Sequence, residues 1–205
     1  IETGPNRVTL ILASQSAGRL AILRAAGVEV TPFASAVDEE SIKEGLAAAG
    51  AKARDIADAL AEAKAVKISR KLPGDLVIGC DQILVTADGQ LLDKPESPEE
   101  ARTHLQMLSG KVHRLISAAV ICEGGAPVWR VVDTAQMTMR SLSDGFIGSY
   151  VERHWDHIHH CVGCYRIEAE GAQLFASISG SQFTVIGMPL LPVLDYLRLK
   201  GLLET

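Results

Sequence analysis

Asp81 stands in the middle of Leu76-Val-Ile-Gly-Cys-Asp-Gln-Ile-Leu-Val85, an otherwise apolar run. A carboxylate there is costly unless it is paired or binds a metal. In a site it can be one oxygen ligand of a hard cation; the alternative is a strand residue turned to solvent. Gly79, two positions earlier, permits close approach by another chain segment. A second acidic group comes from Val37-Asp38-Glu39-Glu40. Acidic pairs at helix starts are ordinarily dipole partners, so Asp38 can cap the next helix while Glu39 faces a cleft. Glu39 and Asp81, drawn from separate segments, suit Mg²⁺ or Mn²⁺. The smaller of these, Mg²⁺, prefers oxygen and takes one or two carboxylates together with substrate phosphates.

Candidate anion-binding and cationic groups are spread along the chain. Leu12-Ala-Ser-Gln-Ser-Ala-Gly-Arg19 runs from a strand through a small polar loop into a helix. Helix-start amides attract anions, and Ser14, Ser16 and Arg19 add donors and charge. Gly18 lets backbone come close to a ligand. The Gly-Lys-Ser/Thr ending of a Walker loop is missing, and a capped helix with an exposed Arg is the plain alternative. Lys64 and Lys67 both flank the apolar stripe of a long helix, and periodicity does not choose between them; snorkelling stems account for either. Lys94, in Asp93-Lys94-Pro95, follows a turn and either reaches the same cleft or is solvated. His154, His157, His159, His160, Cys161 and Cys164 are dense enough to suggest zinc. Structural zinc sites draw on two separated ligand pairs, so this run reads as a polar loop.

These groups need a frame. Strands are predicted at 8–13, 28–33, 76–85, 112–122, 128–140 and 174–178. Helices are predicted at 20–26 (stopped by Gly27), 41–49, 52–71, 98–108 (opened by Ser97 as N-cap), 143–154 and 190–200. Strands and helices alternate, which predicts an α/β class with a mixed sheet. The 205 residues, 47% hydrophobic and only 4% aromatic, allow one large domain with an aliphatic core or two small lobes. We take 8–205 as a single functional domain, and 1–7 as a flexible N-terminus or an expression remnant.

A net charge of −5 without a basic stripe argues against a general nucleic-acid binder. No apolar run approaches the ~20 residues that cross a bilayer, so no membrane association is expected. The first residues lack a signal-peptide pattern. Four cysteines in a chain of this length do not make a disulfide framework, and a reduced cytoplasm is the expected setting.

Taken in order, these segments resemble the Maf family of nucleoside triphosphate pyrophosphatases. Leu12 to Arg19 corresponds to its Leu-Ala-Ser-x-Ser-Pro-x-Arg opening, Val37-Asp38-Glu39 to its Val-Asp-Glu, and Ala63-Lys64-Ala65 to its Ala-x-Lys-Ala helix. Gly79-Cys80-Asp81-Gln82 matches the catalytic Asp segment, followed by Lys94-Pro95. Met107 to His113 matches the Leu-Ser-Gly-x-x-His turn. Gly163 to Glu168, Ile178 to Ser181 and Val185 to Leu190 match the C-terminal signature. Each piece is weak alone; six in order, over nearly the whole chain, are specific.

The resemblance implies a mixed central sheet flanked by helices, with two lobes around a cleft, similar to the inosine triphosphate pyrophosphatase fold. It implies hydrolysis of a nucleoside triphosphate to monophosphate and pyrophosphate, a divalent metal and a homodimer. By it Asp81 is the general base, Glu39 helps hold the metal, and Ser14, Ser16, Arg19, Lys64 and Lys94 serve the phosphates. Gln82 and Glu168 are the pairing of the branch acting on 7-methyl-GTP, which implies a preference for guanine-type or modified nucleotides. Two features depart from the pattern: Ala17-Gly18 replaces Pro and a bulky residue expected near the base, and the His-rich stretch before Gly163 is unusual. The family's link to septum formation supplies the alternative, a nucleotide-binding regulator without turnover.

Overall fold

The computed structural model describes residues 8–204. The segment 1–7, read above as a flexible N-terminus or expression remnant, lies outside the described residues, as does residue 205. The elements run β1 (Leu10–Leu12), α1 (Ala17–Ala25), β2 (Val30–Pro32), α2 (Glu39–Ala48), α3 (Ala53–Ser69), β3 (Leu76–Val85) and β4 (Leu91–Leu92). They continue with α4 (Pro98–Leu108), β5 (Val112–Glu123), β6 (Ala126–Met139), α5 (Asp144–Ile158), a 3₁₀ turn (Glu170–Leu174), β7 (Phe175–Ser179), α6 (Gln182–Ile186) and α7 (Leu190–Leu199).

The seven strands form one mixed sheet in the order β2-β1-β3-β5-β6-β7, with β4 paired to β3. β1 is parallel to β2 and β3, with Leu10 opposite Leu76 and Leu12 opposite Ile78. β4 is antiparallel to β3, and β7 to β6. The class expected from the sequence, α/β with a mixed sheet, is the one found. β3 reads as a continuous apolar run because nine of its ten positions are buried, as in strands covered on both faces. β5 and β6 form a hairpin at Gly124-Gly125, whose φ of 59° and 81° are left-handed. Positive φ at both central residues is what a type I′ turn requires.

Several boundaries are set by caps that the apolar pattern does not reveal. α1 begins at Ala17 rather than near Leu20, because the Ser16 hydroxyl accepts from the Arg19 amide at 3.3 Å. Gly18 and Arg19 therefore lie inside the first helical turn. α5 extends to Ile158, so His154 and His157 are helical and not part of a polar loop. β4, the 3₁₀ turn and α6 have five residues or fewer, too short to show a period. No helix among the described residues is long and apolar enough to cross a membrane.

The chain divides into two compact units. Among the described residues the first comprises 8–81, Ser117–Val132 and 187–204; the second comprises Gln82–Ile116 and Asp133–Ile186. The first unit buries Leu10, Leu12, Leu23, Ile56, Leu60, Ile68, Leu76 and Ile78. The second packs α4 against α5 around Leu84, Leu105, Leu108, Tyr150, Val151 and Leu174.

Candidate active site

Inside the first unit, α3 and β3 approach closely enough to join two charges. A Cβ on Gly79 would stand 2.2 Å from the Ala61 carbonyl oxygen and 2.7 Å from the Ala65 nitrogen. Only glycine lets β3 lie that near the helix. One helical turn away from Ala61, Lys64 extends its Nζ to Asp81 Oδ1 at 2.7 Å and to Glu39 Oε2 at 3.0 Å. Both Lys64 and Asp81 are buried, at 5% and 6% exposed, whereas the Glu39 side chain is about half open to solvent at 45%. The structure thus separates Lys64 from Lys67, which the sequence leaves equivalent: Lys67 is exposed and donates to the Ala36 carbonyl.

Arg19 completes the cluster. Its Nε donates to the Gly187 carbonyl at 2.8 Å, and Nη1 donates to the Cys80 carbonyl at 3.1 Å and to Ser14 Oγ at 3.3 Å. Ser14 Oγ also accepts from the Ser16 amide at 3.1 Å. The strand-to-helix turn is thereby folded around the guanidinium. Gly187, at φ 125°, lies flat against it; a Cβ there would be 3.0 Å from Arg19 Nε. Sequence reasoning gave Gly187 no role beyond its motif, and 168 residues separate it from Arg19.

Burial pushes the Asp81 carboxyl above its ordinary value, while the ammonium of Lys64 and the guanidinium of Arg19 pull it back. Burial likewise pushes the neighbouring Cys80 thiol up to about 11, which keeps it protonated and inert. Asp81 is the buried carboxylate of the cluster, and the charges that act on it are Lys64, Arg19 and the opposing carboxylate of Glu39. Asp38 caps α2 by accepting from the Ser41 amide at 3.1 Å, leaving Glu39 as the first helical residue.

Glu39 and Asp81 meet at one ammonium, so two hard oxygen donors already share a cationic partner. That donor set fits Mg²⁺ or Mn²⁺ held by two carboxylates with water and phosphate oxygens in the remaining positions. Among the described residues no three His, Cys, Asp or Glu side chains group as a metal site. The histidine run has other partners. His154 Nε2 lies 2.7 Å from Glu170 Oε2, His159 Nδ1 lies 2.8 Å from the Trp155 carbonyl, and the Cys161 thiol points to the His157 carbonyl at 3.7 Å.

The remaining candidates belong to the second unit. Lys94 is exposed in the loop after β4. Gln82 follows Asp81 in β3, and its side-chain amide donates to the Thr184 and Val185 carbonyls of α6 at 2.9 and 3.0 Å. Thr184 in turn donates to Asp133 at 2.6 Å. Glu168 is at the surface and accepts from Arg166 Nε at 3.0 Å. Gly18 sits in the first turn of α1 beside Arg19.

The family model described as Maf-like protein matches residues 9–200. A protein of Sphingopyxis alaskensis named nucleoside triphosphate pyrophosphatase is 55% identical over 195 residues, covering 95% of this chain and 98% of its own. One of the same name from Ruegeria pomeroyi is 53% identical over 198 residues, covering 97% and 99%. A Brucella abortus protein named 7-methyl-GTP pyrophosphatase is 47% identical over 191 residues, covering 93% and 96%. With a match over that share of its length, the chain belongs to the Maf-like protein family.

Proposed function

We propose that this chain hydrolyses nucleoside triphosphates to the monophosphate and pyrophosphate, with guanine-type or modified nucleotides such as 7-methyl-GTP preferred. The observation that carries the reading is the buried Asp81 carboxylate held 2.7 Å from Lys64 and set among the cations Lys64 and Arg19. Names of close relatives support it: two are nucleoside triphosphate pyrophosphatases and one a 7-methyl-GTP pyrophosphatase.

In this mechanism Asp81 orients the attacking water and takes its proton as the oxygen closes on the α-phosphorus. A carboxyl pushed above its ordinary value is the better base for that step. Ser14, Ser16 and Arg19 bind phosphate oxygens with hydroxyls, amides and a fixed guanidinium. Lys64 holds Glu39 and Asp81 in place before substrate arrives and then faces developing charge on the phosphates. Lys94 adds a further cation toward the leaving pyrophosphate. Glu39 and Asp81 would hold a divalent cation, which when bound draws charge from the phosphate oxygens. Glu168 accepts from a guanine N1–H and exocyclic amine, which uracil and thymine do not offer in the same array. Gln82 works beside it by securing α6. A homodimer and a cytoplasmic setting belong to the same reading.

The test is product analysis on the parent and on Asp81→Asn. The parent should release pyrophosphate and no orthophosphate, and the variant should lose about 10²- to 10⁴-fold in turnover. Turnover of Asp81→Asn within a few-fold of the parent would remove Asp81 from the mechanism. Nucleotide binding with no product at all would favour the regulator.

A further inference from the structure

The mechanism above leaves Cys161, Cys164, His104 and Glu100 unused, and the second unit brings them together. The Cys164 amide donates to the Cys161 carbonyl at 3.2 Å, closing a four-residue turn in which Gly163 has φ 82°. Such turns hold their first and fourth Cα atoms within about 7 Å. Disulfides span Cα separations of about 4.4–6.8 Å. Cys164 itself adopts φ 61°, a left-handed conformation that a side chain rarely takes without support from its surroundings.

The two thiols differ in a way that suits a redox pair. Cys161 is partly exposed at the end of α5, while Cys164 is fully buried. A buried thiol keeps its proton, and burial does push that of Cys164 up. It nonetheless has an acceptor: Cys164 Sγ lies 3.8 Å from His104 Nδ1. The other imidazole nitrogen, Nε2, lies 3.6 Å from Glu100 Oε1, and the Glu100 side chain is 42% exposed. Thiol, imidazole and carboxylate therefore form a line from the interior to water. A structural cysteine needs no such line.

We propose that Cys161 and Cys164 are an oxidation site for hydrogen peroxide, closing to a reversible disulfide with His104 as the proton acceptor of Cys164. Cys161 sulfur attacks one peroxide oxygen, the O–O bond breaks, and a sulfenic acid and one water result. Cys164 sulfur then attacks the sulfenic sulfur as its proton passes to His104. The S–S bond forms, the S–O bond breaks, and the departing hydroxide takes the proton from His104 and leaves as a second water. Two thiols lose two electrons, and the peroxide is reduced to two waters.

The turn is tied to residues that the functional reading uses. Glu100 Oε2 accepts from the Glu96 amide at 2.7 Å, fixing the loop that carries Lys94. Burial, His159 and the Lys94 charge hold the His160 imidazole below its ordinary value, so this histidine beside Cys161 lies within the field of Lys94. Glu168 follows four residues after Cys164. Oxidation should then lower turnover, a consequence that rests on the roles proposed for Lys94 and Glu168; the disulfide does not.

The experiment adds hydrogen peroxide to the reduced intact protein, alkylates the remaining thiols under denaturation and maps the peptides by mass spectrometry. The 161–164 peptide should appear lighter by two hydrogens and unalkylated, and dithiothreitol should restore both thiols. Cys80 and Cys122, both buried in the sheet, should remain alkylatable. Cys164→Ser should stop Cys161 at the sulfenic acid, trapped by dimedone. His104→Asn should slow ring closure about tenfold or more while leaving sulfenic acid formation unchanged. Equal alkylation of Cys161 and Cys164 before and after peroxide would overturn the proposal, as would sulfinic acid at Cys161 with no linked peptide. The parent alone decides this, whether or not a variant folds. A disulfide that forms with turnover unchanged would overturn the coupling to Lys94 and Glu168.

Discussion

Asp81 is a charge that folding buries, and the proposed hydrolysis needs it in ionised form. Burial raises its carboxyl above the ordinary value of 3.8, against the opposing pull of Lys64 and Arg19. The acid limb of kcat/KM should therefore have its midpoint above that value and move when Arg19 is changed to Gln. A midpoint at or below it would mean that another group limits the rate. Stability follows the opposite sign. A group whose folded value lies above its unfolded one stabilises most when protonated, so its contribution falls as pH rises from the unfolded value through the folded one. Asp81→Asn should consequently melt no lower than the parent at neutral pH while losing turnover; a clearly lower Tm would show that the pair with Lys64 outweighs the cost of burial. The pairing of Asp81 was legible because a carboxylate in an apolar strand must find a partner. Which lysine supplies that partner was not, since Lys67 fits the same stripe and only the approach of β3 distinguishes them. Gly187 left no local signal at all, because its partner Arg19 lies far away in the chain.

At the scale of elements, the site depends on how near β3 comes to α3. Gly79→Ala places a methyl group against the Ala61 carbonyl, where something must move. Overpacking of this kind costs about 1–3 kcal/mol. The variant should therefore show a lower Tm, and a larger loss of turnover than of fold as Lys64 draws away from Asp81. An unchanged Tm would mean that the contact yields freely. Long elements with caps were readable in the sequence: β3 matches its predicted span, and α4 opens at Ser97, whose hydroxyl accepts from the Glu100 amide at 3.1 Å. The start of α1 and the end of α5 were misplaced, because a cap and a buried Ile158 decide them rather than an apolar period. α6, held by Gln82 and Thr184, has no pattern of its own to read.

For the whole molecule, charge sets the terms. The proposed substrate is a polyanion and the chain carries a net charge of −5, so binding it requires a local excess of cation. Arg19 and Lys64 supply two positive charges, but Glu39 and Asp81 offset them unless a metal is added. Activity should disappear after dialysis against EDTA and return with Mg²⁺ or Mn²⁺; full activity without added metal would contradict the two-carboxylate reading. Base preference tests the second unit separately. kcat/KM should be higher for 7-methyl-GTP and GTP than for UTP and dTTP, and Glu168→Gln should narrow the gap. If UTP or dTTP is the best substrate of the parent, Glu168 and Gln82 do not select the base.

The central claim is that Asp81 directs water to the α-phosphorus. Turnover in heavy-oxygen water reads this directly, because the label enters whichever phosphorus is attacked. The account predicts label in the nucleoside monophosphate, none in pyrophosphate, and almost no labelled product from Asp81→Asn. Label in pyrophosphate, or labelled orthophosphate released alongside a nucleoside diphosphate, would contradict it.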